Sequence, residues 1–68
     1  MKKVIKQFAE KIRMIRISQG MSQGDIAKQL QVHRTYISGL ERGIQNPSLL
    51  TLHKLAHALK VEVEVLIK

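Results

Sequence analysis

The amino-acid sequence predicts an all-α fold: a compact domain of five short helices, the last of them open to a second reading as a strand. Three observations carry this. Apolar residues recur at spacings of three and four in four successive segments, the period of a helix with one buried face. Residues that start and stop helices flank those segments. Only one stretch, Val61 to Val65, alternates with the period of two that marks a strand.

The elements follow in order. Ile5, Phe8, Ala9, Ile12, Ile15 and Arg16 share one stripe, which predicts a first helix over about residues 4–18, and Gly20 stops it. Ser22 caps a short second helix with Ile26, Ala27 and Leu30 as its apolar positions. Asp25 sits in its first turn, where the helix dipole favours negative charge. After the tight connection Gln31-Val32, a third helix runs from about Arg34 to Arg42, with Ile37 and Leu40 inward and Gly43 at its end. Ile44 to Asn46 form a loop, Pro47 precedes a helix start, and Ser48 is the cap. Leu49, Leu52, Leu55, Ala56 and Leu59 are expected to form the buried face of the fourth helix. Residues 62–67 favour a short fifth helix over a strand, because so short a strand needs a partner to pair with.

Composition narrows the function classes. Sixty-eight residues suffice for a single domain, 1–68, and a domain of that size buries only about 60% of the surface its unfolded chain exposes. Phe8 and Tyr36 are the only aromatics, so aliphatic side chains must fill the core. The absence of Cys excludes disulfides and thiolate metal sites and fits a reducing cytoplasm. No apolar run approaches the ~20 residues of a membrane span, and the polar helix after Lys2 and Lys3 does not fit a signal peptide. The net charge is +7, and residues 1–45 carry nine basic and three acidic side chains of that total. Such a field raises the on-rate for polyanions, nucleic acid above all, although an anionic membrane surface would suit it too.

Two short helices joined by a tight turn, over about residues 22–42 of a basic chain, form a helix-turn-helix pattern. Around it Ser22-Gln23, Ile26-Ala27, Val32, Ile37-Ser38, Glu41-Arg42-Gly43, Pro47-Ser48-Leu49, Thr51-Leu52 and Leu55-Ala56 stand in one fixed frame. In that frame the sequence resembles the Cro/cI-type (XRE) helix-turn-helix family of phage repressors and bacterial regulators, over roughly residues 8–67. The run His33-Arg34-Thr35-Tyr36-Ile37-Ser38 also resembles the controller proteins of restriction–modification systems.

The resemblance implies a recognition helix, about 34–42, whose front enters the major groove of double-stranded DNA. His33, Arg34, Thr35 and Ser38 are then the candidate base contacts, with Arg34 able to present two donors to guanine O6 and N7 and Thr35 a methyl to thymine. Gly39 either lets the helix approach closely or reads nothing. Candidate phosphate contacts are Gln23 at the start of the second helix, Tyr36, and the loop set Arg42, Asn46 and Ser48. Tyr36 has an equal alternative role, covering the side of the core. Arg16 and Glu41 both fall on inward stripes, and buried charges are paired. The resemblance implies that each is the other's partner, a structural ion pair.

Other chemistry finds no footing. His53 and His57 have the i,i+4 spacing of two zinc ligands, but no third ligand is evident and Lys54 stands where a metalloprotease needs Glu. No metal, cofactor or enzymatic activity is expected, since no phosphate loop, nucleophile motif or carboxylate pair appears. Two positions depart from the family pattern. Gln31 stands where Gly often precedes the turn, implying a blunter turn or a strained φ. His33 replaces the usual Ser or Thr cap, with its ring free to meet phosphate instead.

The expected function is that of a transcriptional regulator, a homodimer on a palindromic operator, in a prokaryotic or phage-infected cytoplasm at the nucleoid. The dimer contact is expected at Val63, Val65 and Leu66, with Leu66 and Ile67 turned to their own core if the segment is helical and Val65 outward. RNA polymerase is a further partner in that reading. The alternative is an antitoxin-type module that holds a toxin protein as well as its promoter, through exposed Met14, Ile17 and Leu50.

Overall fold

The computed structural model describes residues 2–68. Its five helices are α1 (Lys2–Ser18), α2 (Gln23–Leu30), α3 (Arg34–Glu41), α4 (Leu49–Leu59) and α5 (Val63–Ile67). The final segment is helical, and no strand occurs among the described residues.

The first four helices end in the same way. After each, one residue takes a left-handed conformation and two backbone N–H groups turn back onto the last helical carbonyls. After α3, Gly43 N–H donates to the Leu40 carbonyl at 3.2 Å and Ile44 N–H to the Gly39 carbonyl at 3.0 Å. Gly20 and Gly43 supply the positive φ after α1 and α3, but Gln31 and Lys60 supply it after α2 and α4, each with φ 59°. These reversals satisfy carbonyls that a helix end leaves orphaned. The strained φ expected at Gln31 is present. The starts are equally local: Ser22 and Ser48 accept hydrogen bonds from the Asp25 and Thr51 N–H groups at 3.0 and 3.1 Å.

Ile12, Ile26, Ile37, Leu40, Leu55, Leu59 and Leu66 form the most deeply buried part of the core, joined by small Ala27, Ala56 and Ala58. Phe8, Ile15, Tyr36, Leu52 and Val63 close over it, half-buried. Each buried aliphatic side chain contributes about 1.5–3 kcal/mol by leaving water. The Gln19 side-chain amide donates to the Leu59 carbonyl, tying the end of α1 to the end of α4.

Three expectations are corrected. Leu49 is 73% exposed, although it falls on the right stripe. It is the first residue of α4, and no element covers that turn. Leu66 is 1% exposed in the core of its own chain, as expected of a helical segment, and this takes it out of the expected contact between chains. Ile67, expected inward, is 61% exposed instead, while Val65 is outward as expected. In a helix this short only one residue in three or four can face the core, and Leu66 takes that place, with Val63 one turn earlier.

Candidate nucleic-acid interface

The interface is built on the α2–α3 pair. Ile26, Ala27 and Leu30 of α2 and Ile37 and Leu40 of α3 are buried in the shared core, so the opposite side of α3 is left to solvent. The turn between them is set by Gln31 in the left-handed region and by Val32 N–H donating to the Ala27 carbonyl at 3.0 Å.

At the front of α3, His33 is the cap. Its Nδ1 accepts from the Thr35 N–H at 3.2 Å and lies 2.9 Å from the Thr35 hydroxyl. The ring therefore does the work of the Ser or Thr it replaces, and it holds the Thr35 side chain in one orientation. His33, Arg34 and Thr35 are exposed, and Ser38 is half-exposed one turn further on. The Arg34 stem runs beside α2: its Cδ lies 3.9 Å from where a Cβ on Gly24 would stand. Tyr36 packs half-buried against the core.

Behind this surface is a polar brace. Arg16 Nε and Nη2 donate to Glu41 Oε2 and Oε1 at 2.6 and 3.0 Å, a two-pronged pair that leaves 12% of the Arg16 side chain and 4% of the Glu41 side chain exposed. Arg16 Nη1 donates to the Met21 carbonyl at 2.8 Å. The hydrogen bond to Glu41 raises the affinity of the guanidinium for its proton, and burial opposes it. Gln23 Nε2 donates to Glu41 Oε1 at 3.1 Å. One carboxylate thus fastens the end of α1, the start of α2 and the end of α3. The Gln23 link was not foreseen. It leaves the Gln23 and Gly24 backbone N–H groups, the second amide proton and the amide oxygen for a ligand.

Ser22 and Asp25 close a reciprocal cap on α2: the Ser22 N–H donates to the Asp25 carboxylate at 2.8 Å. That bond holds the Asp25 carboxyl below its ordinary value. At the other end of α3, Arg42 and Asn46 are exposed on the loop, and the Ser48 hydroxyl is engaged in its own cap and with Thr51 Oγ1 at 3.0 Å. Gly39 does not face a ligand. It is buried beneath Ile44 and Gln45, so close that a Cβ there would stand 2.7 Å from Gln45 Cγ.

His53 and His57 are exposed on α4, away from this surface, and no group of three or more potential metal ligands occurs among the described residues. Among those residues, no helix is long and apolar enough to cross a membrane. The arrangement offers backbone N–H groups, a guanidinium, hydroxyls and a methyl on a braced helix. Groups of these kinds suit a polyanion and the edges of its bases.

A solvent-facing helix, capped at its front and held across a second helix by a tight turn on a basic chain, defines a helix-turn-helix DNA-binding protein. Residues 12–66 match the helix-turn-helix family model, and the chain belongs to that family. It is similar to the control protein C.BamHI of Bacillus amyloliquefaciens, at 46% identity over 56 residues, covering 81% of this chain and 69% of that protein. Of two further curated regulators it spans about half, 48% and 51%. Among solved structures, the restriction–modification controller protein C.AhdI from Aeromonas hydrophila superimposes with a TM-score of 0.88 at 37% identity, over 91% of this chain and 94% of that one. The controller protein C.Esp1396I, solved as a tetramer with its natural 35 base-pair operator, superimposes with a TM-score of 0.80 at 29% identity, over 96% of each chain.

Proposed function

We propose that this chain is a sequence-specific regulator of transcription, binding double-stranded DNA as a homodimer on a palindromic operator, in the manner of a restriction–modification controller. The observation that carries the proposal is the α2–α3 surface: an exposed recognition helix with Arg34 and Thr35 at its front, braced from behind by the Arg16–Glu41–Gln23 network. The relatives that match the chain are regulators and controllers, and they give the antitoxin reading no support. Regulation by occupancy needs no covalent chemistry, and the site of action is the cytoplasm that holds the DNA.

In this reading α3 lies in the major groove. Arg34 takes guanine, Thr35 meets a thymine methyl or a hydrogen-bonding edge, and His33 and Ser38 flank them. The start of α2 with Gln23, and the loop with Arg42, Asn46 and the first turn of α4 at Ser48, hold phosphates on either side.

Selection of bound duplexes from a random pool tests the proposal. A palindromic consensus is expected. Arg34→Ala should cost about 1–3 kcal/mol on that consensus and little on random DNA. Arg42→Ala should weaken all duplexes alike and flatten the salt dependence by about one counterion. Equal losses for Arg34→Ala on both kinds of DNA would reduce Arg34 to a phosphate contact, and a pool without consensus would end the specific reading.

A further inference from the structure

Gly39 is the glycine of α3, and a Cβ there would meet the Gln45 side chain. It lies one turn on from Thr35, on the edge of the solvent side, where a residue of a recognition helix would ordinarily project. Instead the chain reverses at Gly43, Ile44 N–H bonds back to the Gly39 carbonyl, and the next residue, Gln45, lays its stem over Gly39. A Cβ on Gly39 would stand 2.7 Å from Gln45 Cγ, so the Gln45 stem would have to move to admit one, while Gln45 Cβ at 3.7 Å would be in ordinary contact. Gly24, by contrast, has only ordinary contacts around its missing side chain, at 3.6 and 3.9 Å. The Gln45 residue as a whole stays exposed, with its stem lying against Gly39.

The start of α2 and Gln45 flank α3 on different sides. Gln23 bonds Glu41 and the Arg34 stem passes Gly24, which puts α2 beside the Arg34–Glu41 stripe. Gln45 sits over Gly39, four residues on from Thr35. A loop side chain therefore occupies the position that the helix itself leaves empty.

We propose that Gln45, seated on Gly39, is a further specificity-determining residue, reading the base pair next to the one Thr35 meets, with Gly39 as its positioning residue. The inference rests on α3 being the recognition helix. A Gln amide matches adenine, donating to N7 and accepting from the N6 amino group. Four residues, about 6 Å of helix rise, separate Gly39 from Thr35, a step that moves the contact outward along the groove.

The test is the random-pool selection, repeated with the full chain carrying Gln45→Ala, Gly39→Ala or Arg34→Ala. Gln45→Ala should abolish an adenine preference at one pair of each half-site, worth roughly ten-fold in affinity, and leave the other positions unchanged. Gly39→Ala should lose the same preference at the same pair, because its methyl displaces Gln45. Alanine is the better helix former, so circular dichroism should show the fold kept. An unchanged consensus for Gln45→Ala overturns the proposal even if Gly39→Ala does not fold. A folded Gly39→Ala protein that keeps the adenine preference overturns the seat. If Arg34→Ala also leaves the consensus intact, α3 is not the reader and the proposed function fails with it. If Arg34→Ala alters the consensus and Gln45→Ala does not, only the present inference fails.

Discussion

Gln31 and Lys60 hold φ at 59°, in a region that L side chains enter at a cost of about 1–2 kcal/mol. Both end a helix by the same reversal that Gly20 and Gly43 make without a Cβ to accommodate. Glycine at either position would relieve that cost but give back roughly 0.5–1 kcal/mol of extra chain entropy in the unfolded state. Gln31→Gly should therefore stabilise the fold by about 0.5–1 kcal/mol in urea denaturation, with an unchanged slope; a loss of stability would show that the Gln31 side chain makes a contact worth more than its strain. At this scale much of the architecture was legible beforehand. Ser22, Ser48, Gly20 and Gly43 act through bonds to residues a few positions away, so their roles are written in local sequence. The capping role of His33 was not legible, since it depends on the imidazole turning its Nδ1 to the Thr35 N–H, where a solvent-facing rotamer serves equally well in an isolated peptide.

Helices in this fold are held by two kinds of contact, and their response to perturbation separates them. The Arg16–Glu41 pair joins α1 to α3 within a nearly enclosed space. Removing either partner strands a charge there, and each single substitution to Ala should cost about 3 kcal/mol. A double-mutant cycle on unfolding free energy should return strong coupling; additive effects would mean that the pair contributes nothing as a pair. The reciprocal cap on α2 acts at the surface. Its Asp25 carboxyl titrates below the ordinary Asp value of about 3.9, chiefly because the Ser22 N–H binds the charged form. A group depressed in the folded state contributes stability that is present above its unfolded value and lost as pH falls through the folded one. The start of α2 should therefore loosen only below about pH 4, and Asp25→Asn should remove that acid limb; a carboxyl that titrates at the reference value in an NMR titration would contradict it. What the sequence withheld at this scale is depth. Periodicity assigns a side chain an angle around its helix but not a neighbour along the axis, which is why Leu49 lies bare on the stripe that buries Leu55 and Leu59. The covering of Gly39 by Gln45 was hidden for the same reason, because it exists only once the chain has reversed.

The whole molecule measures 28 × 23 × 22 Å. Successive major grooves on one face of B-DNA are ~34 Å apart, so one chain with one recognition helix cannot engage both. A two-fold pair can, and we propose that Val65 lies at its contact. Val65 is 43% exposed and Ile67 61%, both on α5, and Leu49 and Leu50 stand bare at the start of α4. Exposed aliphatic residues are covered at low cost by a second copy, because a two-fold axis sets the same patch against itself. Leu66 is buried in its own core, so the earlier set of Val63, Val65 and Leu66 reduces on its outward side to Val65. A small chain gains further from association, since its own core covers a limited share of its apolar surface. In that dimer Val65→Glu would set two carboxylates near the axis and should give monomers in sedimentation. It should also weaken binding to a full palindrome far more than to a half-site, because only the full site rewards two linked recognition helices. A wild-type chain that remains monomeric at high micromolar concentration, or a Val65→Glu chain that remains dimeric, would remove this interface and require the two half-sites to be filled independently.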